Sequence, residues 1–345
     1  MRGPITIGIV GAGFGEQVQA PALRALSGFE VRAICARHLE RAQQAARKLG
    51  IPKASADWRE LVADREIQAL ALAVPPSLQA EIALVAAQAG KHLFCEKPMA
   101  LNAGQAQSIL AAARQSKIVH AVDFIFPELA AWRKARQLLQ SSALGRIRHA
   151  ALTWRVETYA YRAKVDSWKT RAASGGGALN NLASHTFYYL EWLLGRMEKV
   201  AARLTPPGAE VEARVDAWVE FAAGFSGVVS IASDAFQGPG HRLEVYGDSG
   251  TLVLENASTD HARGFKLFLA TRAAPGLAVI EAADDPLHAD GRVYPVSRIA
   301  GRFLEAICSG GTAVPNFVDG LRVQLLLDTL RLADQSGSWQ SVGAG

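Results

Sequence analysis

The run Gly11-Ala12-Gly13-Phe14-Gly15-Glu16 constrains this chain more than any other, because it stands directly after a β-branched apolar stretch, Ile5–Val10. Glycines clustered between a strand and a helix mark a tight turn whose backbone a ligand approaches closely. Gly11 permits the turn and Gly13 admits a pyrophosphate, with Phe14 and Gly15 completing the cradle at a helix N-terminus, where free N–H groups and the dipole favour anions. The third glycine of the strict pattern falls on Glu16. Its carboxylate either repels phosphate or points outward to complement the helix dipole, and Gly15 eases the close packing instead. The competing reading is an ordinary glycine turn.

Periodicity extends the βαβ pattern. A helix is predicted over Glu16–Ser27, a strand over Glu30–Cys35, and a helix over Leu39–Leu49 closed by Gly50 in a left-handed cap. Ile67–Val74 is continuously apolar, as central parallel strands are. Pro75-Pro76 ends it, and Ser77 caps a helix that stops at Gly90. Strand Lys91–Cys95 follows, then a capping box of Asn102 and Gln105 opening a helix to Ser116, and a strand over Ile118–Phe124. After a helix over Glu128–Gln140 the pattern becomes long alternating segments at Ile147–Thr158, Val211–Ala222, Val228–Ser233, Arg242–Tyr246 and Thr251–Glu255. Glycine turns at Gly224–Gly227 and Gly247–Gly250 link some of them as hairpins. Helices are predicted over Ala178–Leu194 and Arg298–Cys308. The fold class is therefore α/β, a Rossmann dinucleotide-binding domain over residues 1–124 and a C-terminal α+β domain over 125–345 with a large, mostly antiparallel open sheet. At roughly 100–200 residues per domain, 345 residues agree with two domains.

With 50% hydrophobic and 20% charged residues the chain is globular rather than disordered or coiled coil. Its 37 Lys and Arg against 32 Asp and Glu leave +5, without a basic run, which favours an anionic small ligand over nucleic acid. Cys35, Cys95 and Cys308 lack the spacing of a disulfide framework or a metal site, so reduced thiols and a cytoplasmic home are expected. Ile5–Val10 is too short for a signal-peptide core, and no apolar stretch reaches the ~20 residues that span a bilayer, so neither export nor membrane insertion is expected.

The second strand carries a cofactor signal. A carboxylate about 20 residues beyond the glycines would bind the ribose 2′-OH of NAD, and Ala36 stands there, followed by Arg37 and His38. Loss of the acid removes both a hydrogen bond and a repulsion against a 2′-phosphate, while Arg37 offers a fork of donors. NADP(H) is expected over NAD(H); the plainer alternative makes Arg37, Arg41 and Arg47 a solvated helix face.

At the C-terminal end of a predicted parallel strand, where open α/β sheets bind ligands, lies Ala89-Gly90-Lys91-His92-Leu93-Phe94-Cys95-Glu96-Lys97-Pro98. This run resembles the hallmark of the glucose-fructose oxidoreductase and inositol dehydrogenase family, Gfo/Idh/MocA. Gly11–Pro21, Pro75-Pro76, Gly175-Gly176-Gly177 and Trp192-Leu193-Leu194-Gly195 fall in family order, so the resemblance covers essentially the whole chain. It implies a nicotinamide cofactor held by Gly11, Gly13, Phe14, Gly15, Ala36, Arg37, His38, Pro75, Glu96 and Lys97. Lys97 is implied to contact substrate and the nicotinamide ribose, where an ammonium stabilises charge developing on the reacting oxygen, and the peptide before Pro98 is implied to be cis. An open C-terminal sheet that forms a dimer or tetramer face is implied as well. No metal is expected.

Gly177–Tyr188 resembles the family segment whose Asp and His bind substrate hydroxyls, the His acting as general acid/base. Asn181 replaces the Asp, Ala183 and Tyr188 the usual Gly and Asp, and His185 is retained one helical turn after Asn181. An amide orients a hydroxyl but takes up no proton, whereas His185 exchanges one near neutral pH. Gln19 and Gln79 occupy two places where the family carries histidines. Tyr159–Arg171, with Tyr161, Arg162, Trp168 and Lys169, is expected to close over substrate, Arg162 and Lys169 gripping an anionic group; a solvated loop with one packed Trp is the alternative. Lys97 on a mere surface loop and His185 as a structural histidine are the plain readings of those two residues.

The leading expectation is an NADP(H)-dependent oxidoreductase moving hydride between nicotinamide and a secondary alcohol or ketone of a sugar-like substrate, with Lys97 and His185 catalytic and Asn181, Trp168 and Arg162 contacting substrate. The rivals are a non-catalytic dinucleotide-binding sensor, suggested by Asn181, and a reductase of C=N or C=C bonds in a non-sugar substrate.

Overall fold

Short apolar runs separated by helical stretches long enough to cross back over a sheet produce parallel pairing. In a computed structural model, which describes residues 3–206, 210–258, 260–283 and 285–343, strands β1 (Ile5–Val10), β2 (Phe29–Cys35), β3 (Lys53–Ser55), β4 (Ala69–Leu72), β5 (His92–Cys95) and β6 (His120–Val122) form one sheet in the order β3-β2-β1-β4-β5-β6. All its pairs are parallel. This is the doubly wound dinucleotide-binding order, whose direction of winding reverses between β1 and β4. Helices α1 (Ala20–Arg24), α2 (Leu39–Leu49), α3 (Trp58–Ala63), α4 (Pro76–Gln88) and α5 (Ala103–Gln115) connect the strands.

Local chemistry sets several boundaries. Gly50 closes α2 at φ +61° and takes the cap that a Cβ residue resists. Asn102 accepts the Gln105 N–H at 2.9 Å, but the reciprocal bond runs from Leu101 N–H to Gln105 Oε1 at 3.0 Å, one residue before the expected position. Pro75 rather than Ser77 precedes α4, and no side chain caps that helix. The helix expected over Glu16–Ser27 opens with a π-helical turn, Gly15–Gln19, and ends at Arg24. Strand β3 and helix α3 were not predicted.

By contact the chain divides into one unit of residues 1–125 and 287–324 and another of 126–286 and 325–345. Residues 287–324, which the division at 124/125 places with the second domain, thus fold onto the first. Phe303 explains why: its ring lies 6.1 Å from Phe29 and 5.8 Å from Phe94, within the apolar core of the parallel sheet.

The second unit holds α6 (Ala130–Gln140), α7 (Tyr159–Arg162), α8 (Ser184–Leu194) and a sheet formed by β7 (Ile147–Arg155), β8 (Met197–Thr205), β9 (Arg214–Phe221), β10 (Ser226–Ala232), β11 (Gly240–Gly247), β12 (Gly250–Asn256), β13 (Lys266–Thr271), β14 (Ala278–Ile280) and β15 (Gln340–Ser341). Its nine strands run β14-β13-β12-β11-β7-β10-β9-β8-β15, antiparallel except for the β10–β7 pair. Along β9 buried Val215, Ala217, Val219 and Phe221 alternate with Trp218, which is 53% exposed, so one face is core and the other open. Two further helices follow, α9 (Val293–Ser309) in the first unit and α10 (Phe317–Ser336), along which the division into units falls. Helix α9 begins five residues before the predicted Arg298. No helix among the described residues is long and apolar enough to cross a membrane.

Two histidines, half-buried His120 and buried His241, couple the fold to pH. His120 Nδ1 accepts the Phe317 N–H at 3.1 Å with the rings stacked at 4.4 Å, and burial pulls its pKa from 6.5 to about 4. His241 shares a 2.8 Å hydrogen bond with the Tyr189 hydroxyl, and burial pulls it to about 3. Both rings are neutral when folded and take up protons more readily when unfolded. Their contribution is complete above pH ~6.5 and is lost as pH falls from there through the folded values. At ~1.4 kcal/mol per pH unit the His120 shift is worth about 3 kcal/mol. Thermal melting is therefore expected to fall steadily from pH 7 to pH 4.5, and His120→Asn, which keeps an acceptor for Phe317, to flatten that slope. A slope unchanged in the variant rules His120 out as its source.

Candidate active site

The glycine turn differentiates its three glycines by contact. Gly11 has φ +115°, and a Cβ there would fall on the carbonyl oxygen of Ala73. At Gly15 a Cβ would lie 2.7 Å from Ile9 Cγ2, so this residue lets the helix close onto β1. Around Gly13 no heavy atom lies within 4 Å of the same construction, which leaves open space over an exposed backbone at the helix N-terminus. These residues fit a pyrophosphate.

Glu16 neither points outward nor faces that space unbalanced. It is buried, paired with Lys48 Nζ at 2.8 Å and with Arg41, whose Nη2 also donates to Ala12 O at 2.7 Å. Burial pushes its carboxyl up, but Lys48 and Arg41 outweigh burial and hold it below the usual range. Of the three arginines near the end of β2, Arg41 is thus engaged, while Arg37 and His38 are exposed beside buried Ala36. Gly11 N–H donates to Cys35 O at 2.8 Å, which places the end of β2 against the turn.

Pro75 stands at the start of α4, after β4, and the peptide between Lys97 and Pro98 is cis. The loop Glu96–Met99 is held by an amide: Gln79 Nε2 reaches the carbonyls of Glu96, Pro98 and Met99 at 2.6, 3.1 and 3.2 Å, and its Oε1 accepts the Glu96 N–H at 3.0 Å. Gln19 Nε2 contacts Glu96 Oε1 at 3.3 Å. Both glutamines that stand where the family carries histidines therefore bind Glu96. The helix opened by the glycine turn and the loop of Lys97 are joined directly through Gln19.

Two charged neighbours escaped sequence reading. Asp123, immediately after β6, is 1% exposed and meets the Glu96 carboxyl. Arg292, from the segment returning to the first unit, lies 5.0 Å from the Phe14 ring and forms a two-point pair with Asp290 at 2.9 and 2.6 Å. A carboxylate ending the apolar run Ile118–Phe124 was a visible signal for Asp123; nothing local marks Arg292.

In the second unit Asn181 and His185 lie on a helix that begins with a π turn, Leu179–Ala183, rather than as α-helix from Ala178. Glu212 anchors its start, accepting the Leu179 N–H at 2.9 Å on its carboxylate and the Ala178 N–H at 2.8 Å on its carbonyl. Arg331 Nη2 donates to Asn180 Oδ1 at 2.8 Å. The His185 ring meets Phe126 edge-on at 5.1 Å, with Trp154 at 6.5 Å. Gly176 and Gly177 pack under the turn of Trp168 and Lys169, where Gly177 N–H donates to Lys169 O at 2.9 Å. Trp168 is half-buried with Lys169 Nζ 5.9 Å from its ring centre, and Arg162 is exposed on α7.

Residues 5–124 match the oxidoreductase family with an NAD-binding Rossmann fold, GFO_IDH_MocA, and residues 132–253 match the GFO/IDH/MocA C-terminal domain. An uncharacterized oxidoreductase of Synechocystis sp. is 34% identical over 98% of this chain and 96% of its own length. The chain belongs to the GFO/IDH/MocA oxidoreductase family. A second member, levoglucosan dehydrogenase of Pseudarthrobacter phenanthrenivorans, is 28% identical over 98% of both chains. The structure of a levoglucosan dehydrogenase in complex with NADH and levoglucosan superposes with a TM-score of 0.88 at 26% identity, covering 98% of this chain and 99% of that one. An oxidoreductase domain protein from Kribbella flavida gives 0.89 at 25% identity, covering 99% and 100%. Family membership makes the protein an oxidoreductase with a nicotinamide-binding Rossmann domain.

Proposed function

We propose that this GFO/IDH/MocA member is an NADP(H)-dependent oxidoreductase acting on a secondary alcohol or ketone of a sugar or sugar-like ring. The observation that carries the reading is the direct contact between the glycine-turn helix and the Lys97 loop, Gln19 to Glu96 at 3.3 Å. That contact sets the glycine turn and the Lys97 loop side by side, so both would belong to one cofactor site. Sugar-active relatives, levoglucosan dehydrogenase and a 1,5-anhydro-D-fructose reductase of Ensifer adhaerens, support the substrate class.

When bound, the nicotinamide supplies or accepts the hydride. The chain does the rest. Gly11, Gly13, Phe14 and Gly15 would hold the phosphates, Ala36, Arg37 and His38 the adenosine ribose, and Pro75, Glu96 and Lys97 the nicotinamide half. Lys97 donates a hydrogen bond to the reacting oxygen and stabilises its negative charge. His185 takes the hydroxyl proton in oxidation and returns it in reduction. Asn181, Trp168 and Arg162 orient the substrate. Self-association through the open sheet face, where Trp218 and Tyr246 are exposed, belongs to the same reading.

The cofactor arm is tested by steady-state kinetics with both nicotinamides. Wild type is expected to prefer NADP(H), and Arg37→Ala to raise KM for NADP at least tenfold while changing KM for NAD less than about threefold, the loss of one charge-assisted contact. A preference for NAD in the wild type rejects the NADP assignment. Tight NADPH binding without turnover on a panel of keto-sugars, imines and nucleotide sugars assigns a sensor instead.

A further inference from the structure

The side chains of Glu96 and Asp123 leave the parallel sheet at one level. Cys95 and Val122 are partners in the β5–β6 register, and Asp123 N–H donates to Cys95 O at 2.9 Å. Residues in register on adjacent parallel strands lie ~5 Å apart and project to the same side. The two carboxyls accordingly meet within hydrogen-bonding reach. Their donors are unequal. Glu96 receives Gln19 Nε2 and the backbone N–H of Lys97, whereas neither oxygen of Asp123 receives an N–H or hydroxyl from the described residues. Two touching carboxylates shielded from water do not both stay ionised, and one proton between them turns repulsion into a charge-assisted hydrogen bond.

We propose that Glu96 and Asp123 share a single proton, resident on Asp123, and act as a monoanionic pair that positions the Lys97 ammonium. The inference rests on the role given to Lys97 above and adds two positioning residues to it. Burial raises both carboxyls, Asp123 the more strongly, against the lowering influence of Lys97 on both and of Arg292 on Asp123. Those two are the cations whose influence on the pair is resolved among the described residues. Lys97 acts on both carboxyls, whereas Arg292, which also pairs with Asp290, acts on Asp123. A dianionic pair would bind Lys97 so strongly as to withdraw it from the substrate oxygen; a neutral pair would release it.

Infrared spectroscopy of the full-length protein at pH 7 tests the proton directly. The expected result is a protonated-carboxyl C=O band that moves in D2O, moves again when aspartate is 13C-labelled at the side-chain carboxyl, and disappears in Asp123→Asn. No such band from labelled wild type, a measurement that needs no variant, overturns the proposal. In turnover, Asp123→Leu is expected to lower kcat about tenfold and shift the alkaline limb of the pH profile, and Asp123→Asn, which still donates to Glu96, to recover most of both. Equal damage in the two variants overturns the positioning role. The band is read without turnover, so its loss is distinguishable from failure of the Lys97 assignment, which Lys97→Met decides on its own.

Discussion

Lys97→Met is expected to lower kcat by about 10²–10³-fold, the cost of removing one preorganised donor from a developing oxyanion. Methionine keeps an unbranched stem of similar length and removes the charge, so the loop fastened by Gln79 at 2.6–3.2 Å retains its shape. Affinity for NADPH, measured by fluorescence titration, is expected to change less than about threefold, because the proposed phosphate seat is Gly13 and not Lys97. The combination matters more than either number. A fall in kcat with unchanged cofactor affinity places Lys97 at the chemical step. A large loss of NADPH affinity with near-normal kcat at saturation would make Lys97 a cofactor anchor and transfer the chemistry to His185. Retention of full turnover in both Lys97→Met and His185→Ala would remove both assignments.

Much of this was legible because the signals were local. Strand Ile5–Val10, helix Leu39–Leu49 with its Gly50 cap, and the Glu96-Lys97-Pro98 loop after a strand all depend on neighbours within a few residues. What could not be read depends on partners far along the chain. Glu16 was ambiguous because Arg41 and Lys48, which decide its environment, lie 25 and 32 positions away. Gln19 and Gln79 registered only as missing histidines; that both bind Glu96 is a consequence of β1, β4 and β5 lying in that order in the sheet. Helix α10 escaped notice because its buried residues include Leu321, Val323, Leu326, Leu327 and Leu330, too broad a face for a one-sided period. The assignment of residues 287–324 to the first unit was equally hidden, since Phe303 reads as an ordinary helix residue until Phe29 and Phe94 are placed around it.

The glycine turn offers the sharpest separation of folding from binding, because its three glycines are constrained by different things. Gly11→Ala is expected to cost about 3 kcal/mol: roughly 1–2 for a Cβ residue forced to positive φ and a further 1–3 for overlap with the Ala73 carbonyl. Gly15→Ala meets Ile9 Cγ2 at 2.7 Å in an ordinary helical conformation, so only the packing part applies, about 1–3 kcal/mol. Gly13→Val adds its side chain to open space, and stability without cofactor should stay within ~0.5 kcal/mol of wild type. The order reverses when cofactor is added. Wild type saturated at 100 times Kd gains ~2.7 kcal/mol from NADPH, and Gly13→Val should forfeit nearly all of it, since the valine fills the space over the backbone N–H groups that the pyrophosphate needs. Thermal melts with and without NADPH read both effects. A Gly13→Val protein that melts like wild type alone and ignores NADPH places the phosphates on this turn; one that is still stabilised by NADPH moves them elsewhere, and with them the path by which the nicotinamide reaches Lys97.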